Sequence, residues 1–284
     1  MLDKLRLLFN TSRPISWVNT AYPFAAGYLV CGGSVDAVLI IGSLFFLIPY
    51  NLLMYGINDV FDYESDILNP RKGGVEGAIT AKKYHPLIIW SSILLSLPFV
   101  IALMLLTPPV SWAVLLVLLF FVVAYSAKGL RFKEIPFLDS ITSSIHFVGP
   151  LIYALSLLGF PAGAWPAVIA FFLWGMASQA FGAVQDVIPD REAKINSITT
   201  VMGARTTVWF AVICYSTAAI IISSYGTAGL IIGLTGLLYV ASIIGFTRIT
   251  DKTSATARTG WKRFLWLNYI AGAVVTICLI VRHL

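Results

Sequence analysis

Two short stretches of this 284-residue chain gather the side chains that could hold a metal ion and a phosphate. The first, Asn58-Asp-Val-Phe-Asp-Tyr-Glu-Ser-Asp66, has the form Asn-Asp-x-x-Asp-x-x-x-Asp. On a helix, Asn58, Asp62 and Asp66 recur every four residues and Asp59 sits three before Asp62, so the oxygen ligands line one face. Such a row repels itself without cations, and hard oxygen donors at this density suit magnesium, which keeps several waters and bridges a few carboxylates to substrate phosphates. The second stretch, Gln185-Asp-Val-Ile-Pro-Asp-Arg-Glu-Ala-Lys194, repeats the spacing at Asp186, Asp190 and Lys194. Pro189 disfavours helical geometry at Ile188, which predicts a break followed by a short helix carrying Asp190 and Lys194. Two carboxylate clusters on one side would permit a two-site cation clamp around one diphosphate. The plain alternative for each is a solvated acidic helix end.

Basic residues lie close by in sequence. Asn69-Pro-Arg-Lys-Gly-Gly74 offers the charges of Arg71 and Lys72 and two glycines that allow close backbone approach to a diphosphate. Between the acidic stretches, Tyr125-Ser-Ala-Lys-Gly-Leu-Arg-Phe-Lys133 brings Lys128, Arg131 and Lys133, which read either as interfacial anchors or as diphosphate ligands. Tyr125 is the more pointed candidate, because an aromatic face near a leaving group can stabilise a developing carbocation. His146, inside an apolar segment, reads as a polar packing group with catalysis as the alternative. Asp139 suits a helix amino terminus. Cys31, Cys214 and Cys278 are scattered in apolar segments without metal-ligand spacing and read as inert thiols.

The elements that must position these residues are membrane helices. The chain is 58% hydrophobic and only 11% charged, against about 25% charged for an ordinary soluble domain, which excludes a soluble fold. Nine apolar segments approach the length needed to cross about 30 Å of hydrocarbon. They run approximately over Ile15 to Gly32, Ala37 to Ile57, Pro86 to Leu106, Trp112 to Ser126, Phe137 to Leu158, Trp165 to Val184, Thr207 to Ser224, Ala228 to Phe246 and Phe264 to Val281. Pro49, Pro98 and Gly149-Pro150 interrupt several of them. The basic start is read as leading into a retained first span rather than a cleaved signal, since no cleavage site follows it.

Charge tests the count. With a cytoplasmic amino terminus, 18 of the 19 basic residues fall on the cytoplasmic side and only Arg282 lies opposite, as the positive-inside rule requires. Both acidic stretches then face the cytoplasm, each ending an even-numbered span. The net charge of +6 is thereby explained by topology, and nucleic acid is not needed as a partner. Residues 1–284 read as a single all-α domain: a bundle of about nine transmembrane helices.

Over essentially its whole length this pattern resembles the UbiA superfamily of intramembrane prenyltransferases. The two aspartate motifs, the Tyr125 to Lys133 loop and the nine spans match in order. Within the superfamily the chain is most similar to the lycopene elongases of C50 carotenoid synthesis, on the stretches beginning Ser12-Arg-Pro-Ile-Ser-Trp, Tyr55-Gly-Ile-Asn-Asp, Asn69-Pro-Arg-Lys-Gly-Gly and Phe172-Leu-Trp-Gly. The resemblance implies a helical bundle around a lipid-accessible cavity under a cytoplasmic cap. It further implies that Asn58, Asp59, Asp62, Asp66, Asp186 and Asp190 place magnesium, and that Arg71, Lys72, Lys128, Lys133 and Lys194 contact diphosphate. The implied reaction passes a C5 unit from dimethylallyl diphosphate to the ends of lycopene, the last cation being quenched by water or by proton loss; other carotenoid enzymes are implied partners. Pro189 and Lys194 depart from many members and bear on metal geometry at the second motif. A quinone precursor or another isoprenoid lipid is the alternative acceptor. A cation transporter is a rival of another class, but it would need ionisable residues near mid-bilayer. The Asp-Gly and Ala-Arg arrangement of CDP-alcohol phosphotransferases is absent.

Overall fold

The computed structural model describes residues 2–67 and 79–283, and the regular structure among these residues is helical throughout. In chain order the α-helices are α1 (Leu2–Thr11), α2 (Val18–Val30), α3 (Ala37–Leu47), α4 (Pro49–Phe61), α5 (Tyr63–Asp66), α6 (His85–Leu106), α7 (Pro109–Ser126) and α8 (Leu138–Leu157), followed by α9 (Trp165–Val184), α10 (Val187–Glu192), α11 (Ile198–Met202), α12 (Ala204–Ser223), α13 (Gly226–Ile243) and α14 (Arg258–His283).

Eight segments among the described residues are long and apolar enough to span a bilayer, beginning with Ala37–Phe61, which joins α3 and α4, and ending with Asp251–Val281. They correspond in order to the second through ninth expected spans. The first expected span is the 13-residue helix α2, preceded by a short 3-10 turn at Pro14–Ser16. Thirteen residues rise only about 20 Å, short of a full crossing. Leu105, Ile220 and Trp266 stand largely exposed on the helix flanks, the arrangement expected where the outer solvent is hydrocarbon.

The helices form two compact units, Met1–Phe132 with His146–Pro161, and Lys133–Ile145 with Ala162–Leu284, so that α8 contributes to both. In the first unit Phe24, Phe45, Phe46, Tyr50, Ile88 and Leu115 are fully buried. Gly42 lets α3 approach α2 closely, because a Cβ there would run into the Phe24 ring. Between α3 and α4 the chain breaks at Ile48, since Pro49 has no N–H to continue the ladder. The break frees carbonyls inside the apolar layer, where an unsatisfied backbone group costs several kcal/mol. Asn51, fully buried, answers it: its two Nδ2 hydrogens are shared among the Phe46 carbonyl at 2.8 Å, the Leu47 carbonyl at 3.1 Å and the Thr20 hydroxyl oxygen at 2.7 Å. The Thr20 hydroxyl itself donates to the Phe46 carbonyl at 2.7 Å. This patch fixes the direction in which α4 leaves the break and carries Asn58 to its end.

The second unit is cored by α9, α12, α13 and α14 through Ala177, Phe181, Val208, Ala211, Tyr215, Tyr239 and Phe264. Trp174 stacks on Phe264 and Tyr215 on Tyr239. Polar contacts pin these apolar faces: Ser178 and Tyr215 share a hydrogen bond of 3.0 Å, and the Tyr239 hydroxyl donates to Asn268 at 2.9 Å.

Replacing Asn51 with leucine should leave the freed carbonyls short of donors and lower stability by about 1–3 kcal/mol. A reduced unfolding temperature of the detergent-solubilised protein, with helix content retained at low temperature, is the expected result.

Candidate active site

The first acidic motif begins on the last turns of α4 and continues through α5. The Asp62 N–H bonds the Asn58 carbonyl at 2.9 Å and the Asp66 N–H bonds the Asp62 carbonyl at 2.8 Å, so helical turns persist across the short irregularity at Asp62. The expected row therefore exists: Asn58, Asp62 and Asp66 follow one another at successive turns. Asp59, Asp62 and Asp66 are all buried, at 2%, 4% and 7% exposure, which sets them apart from a solvated acidic helix end.

Burial at this density is possible because neighbouring groups are brought to the row. After α1 the chain turns at Arg13, which takes a left-handed conformation (φ 50°) before Pro14. The turn delivers the Arg13 guanidinium to Asp59 Oδ1 at 2.6 Å and lays it over the Tyr55 ring, 4.2 Å from the centroid. Burial works against the Arg13 charge, but the Asp59 carboxylate, with Tyr55 and Asp66, outweighs it and holds the guanidinium pKa above its ordinary value. Asn58 Nδ2 donates to Asp62 Oδ2 at 2.6 Å and to the Ser126 hydroxyl oxygen at 3.0 Å, tying the row to the end of α7. Beyond α7 the chain reverses through Gly129 (φ 95°) and Arg131 (φ 44°). Arg131 returns to the Phe61 carbonyl at 3.4 Å and approaches Asp62 Oδ1 at 3.9 Å. Tyr125, next to Ser126, makes a T-shaped contact with His146, ring centroids 5.1 Å apart. Lys128 is exposed on the same loop. Arg71 and Lys72 lie outside the described residues.

The second motif lies in the second unit. α9 ends at Val184, Asp186 stands in the following turn, and α10 carries Pro189 and Asp190. A break is present, but at Gln185–Asp186 rather than at Ile188, which is helical, because Pro189 falls in the first turn of α10, where its missing N–H breaks no helical bond. A second expectation is corrected: α10 stops at Glu192, and Lys194 is not on it. Lys194 takes a left-handed conformation (φ 56°), the Ile195 N–H closing back on the Asp190 carbonyl at 2.8 Å, so Lys194 leaves the four-residue row and is exposed. Asp186 is buried at 9% exposure, Asp190 is half-buried, and Lys133 is partly exposed.

Sequence reading passed over the groups that hold these motifs in place. Asp139, read only as a helix-terminus charge, accepts the Ile198 N–H at 2.7 Å and fixes the segment that follows the second motif. Arg191 binds Asp251 at 2.5 Å and the Thr200 carbonyl at 3.0 Å, while Asp251 also accepts the Ala204 N–H at 2.7 Å. Arg13 was counted as a positive-inside charge and as part of the Ser12-Arg-Pro stretch of the resemblance, without a role of its own. Its local signal was position, an arginine before a proline at the head of an apolar segment.

Among the described residues no three carboxylate, histidine or cysteine groups come together as a closed metal cage. The donor set of the first motif is nevertheless of the kind magnesium uses, since that ion keeps waters and takes one or two carboxylates together with substrate phosphate. Removing the Arg13 guanidinium by Arg13→Met should destabilise the protein by about 3 kcal/mol, and adding Asp59→Asn should recover part of the loss. Unfolding temperatures of the two variants in detergent check the order.

The UbiA prenyltransferase family profile matches residues 20–276. A lycopene elongase/hydratase of Corynebacterium glutamicum is 50% identical over 285 residues, covering 100% of this chain and 99% of that protein. Among solved structures, a UbiA homologue from Archaeoglobus fulgidus bound to GPP and Mg2+ aligns with a TM-score of 0.67 at 17% identity, over 96% of this chain and 99% of that one. The same homologue bound to DMAPP and Mg2+ aligns at 0.64, again at 17% identity, over 95% and 99% of the two chains. A family match over residues 20–276 on a multi-pass helical fold means that this chain belongs to the UbiA prenyltransferase family and is a membrane-embedded prenyltransferase.

Proposed function

We propose that the protein transfers a C5 unit from dimethylallyl diphosphate to the terminal double bonds of lycopene, with magnesium as cofactor. The observation that carries the site assignment is the buried row of Asp59, Asp62 and Asp66 at the end of an apolar helix, held by Arg13 and Asn58. The acceptor is supported by the name of the Corynebacterium protein, and donor and metal by the ligands of the Archaeoglobus structures. The basic residues of the even-numbered connections support a cytoplasmic amino terminus and a cytoplasmic site mouth, with residues 1–284 acting as one catalytic domain in the cell membrane.

In this reading Asn58, Asp59, Asp62 and Asp66 hold magnesium directly or through water, and Asp186 and Asp190 supply the second set. When bound, the metal supplies charge neutralisation for the departing diphosphate. Arg71, Lys72, Lys128, Lys133 and Lys194 receive the diphosphate charge. Arg131, already beside Asp62, can reach the same group. Tyr125 offers its ring face to the allylic cation as the C1–O bond breaks. The apolar spans keep bulk water from that cation until a terminal double bond of the acceptor, delivered from the bilayer, attacks it. The attack leaves a tertiary cation on the acceptor, which ends by adding water or losing a proton. The bilayer and the other enzymes of carotenoid synthesis are the partners that would supply and remove so insoluble a substrate.

A lycopene-accumulating bacterium expressing this chain should yield carotenoids heavier by one or two C5 units on chromatography and mass spectrometry. Unchanged lycopene, with the protein present in the membrane, would overturn the acceptor assignment. Asp62→Asn and Asp190→Asn should each lower turnover by about a hundredfold or more at saturating magnesium. Wild-type turnover in both would sink the two-cluster clamp.

A further inference from the structure

We propose that His146 is the catalytic base that ends the reaction, taking a proton from the water that adds to the tertiary cation on the elongated acceptor; this rests on the reaction read above. His146 lies on α8, eight residues beyond Leu138 or about 12 Å along the helix, and is 3% exposed. Its Nε2 stands 3.3 Å from the Phe121 carbonyl. A carbonyl oxygen only accepts, so Nε2 carries the hydrogen and Nδ1 of the neutral ring carries the lone pair. Among the described residues Nδ1 has no hydrogen-bonding partner.

The ring is also held in place. The Tyr50 hydroxyl donates to the His146 carbonyl at 3.0 Å, and Tyr125 makes a T-shaped contact with the imidazole. Tyr125 adjoins Ser126, whose hydroxyl accepts from Asn58 of the first acidic motif. A continuous set of contacts within the first unit thus runs from that motif, through the end of α7, to a ring that holds a basic nitrogen. The acceptor cation forms where the new carbon–carbon bond forms, next to the departing diphosphate, and the base that finishes the reaction must sit beside that point. Asp59 and Asp62 carry the ion pair to Arg13 and the bond from Asn58, and the His146 imidazole adds an uncharged base beside Tyr125.

The bonding balances as follows. The donor C1–O bond breaks with its electron pair on diphosphate. The acceptor π pair forms the C–C bond and leaves a tertiary cation. A water lone pair forms the C–O bond to that cation, one O–H pair stays on oxygen, and the proton passes to Nδ1. The products are a neutral tertiary alcohol and an imidazolium, which returns its proton to solvent. Without the imidazole the same cation passes a C–H proton to the departed diphosphate and ends as an alkene, so the residue acts on the fate of the cation rather than on its formation.

The full chain, reconstituted in lipid with dimethylallyl diphosphate, magnesium and lycopene, tests this by the ratio of hydroxylated to unhydroxylated elongated products. His146→Gln keeps a donor for the Phe121 carbonyl and His146→Phe keeps the ring; in both, elongation should persist while the ratio falls about tenfold or more. An unchanged ratio in either elongating variant overturns the proposal, as does loss of every elongated product from both variants, which marks a structural role. A wild type that elongates without hydroxylating also overturns it. A wild type that does not elongate lycopene overturns the reaction itself, a failure separable from the others because it appears before any substitution is made.

Discussion

A carboxylate can be buried at the edge of a hydrocarbon layer only if something nearby meets its charge, since transfer out of water costs several kcal/mol per ion even after relaxation. The first unit meets that condition at Asp59 with an arginine 46 residues earlier, set at 2.6 Å by a left-handed turn and a proline. The guanidinium is fixed on its other side by the Tyr55 ring. With Asp59 paired to Arg13 and Asp62 bonded to Asn58, the row can stay buried at the end of an apolar helix. Placement of Tyr125 follows from the same contacts, because Asn58 reaches the residue beside it.

The row is aimed by a defect. A straight, uninterrupted helix from Ala37 would carry residues 58–66 in the direction set by α3. Pro49 breaks that line, and Asn51 makes the break stable by donating to the carbonyls left behind. A fully buried polar side chain thus serves the backbone rather than the substrate, and its effect on chemistry is transmitted as the angle of α4.

Much of this was legible in the sequence for a physical reason: lipid forces every spanning backbone to satisfy itself, so length and hydropathy give the helices, and their ends give the acidic rows. The four-residue recurrence of Asn58, Asp62 and Asp66 survived into the structure because the chain keeps helical bonding through Asp62. The same spacing misled at Lys194, where a left-handed residue ended the turn; periodicity alone does not show where a six-residue helix stops. Arg13 and Asp139 were underread because their roles depend on partners 46 and 59 residues away, and nothing local marks such a pairing. The short first helix was overextended because the apolar composition of residues 15–32 continues through a 3-10 turn and past Val30.

The sequence order of the Arg13–Asp59 pair matters for biogenesis. Chains emerge from the ribosome amino terminus first, and synthesis at about 5–20 residues per second separates two positions 46 apart by several seconds. The cation is therefore made and delivered to the membrane surface before the anion it will neutralise. When α4 arrives, its acidic end meets a counter-charge already waiting at the boundary rather than bare hydrocarbon. Were the order reversed, the carboxylates would have to remain in water until their partner appeared, holding the preceding helix out of its final packing during the interval when unpaired apolar faces are most exposed to misassociation.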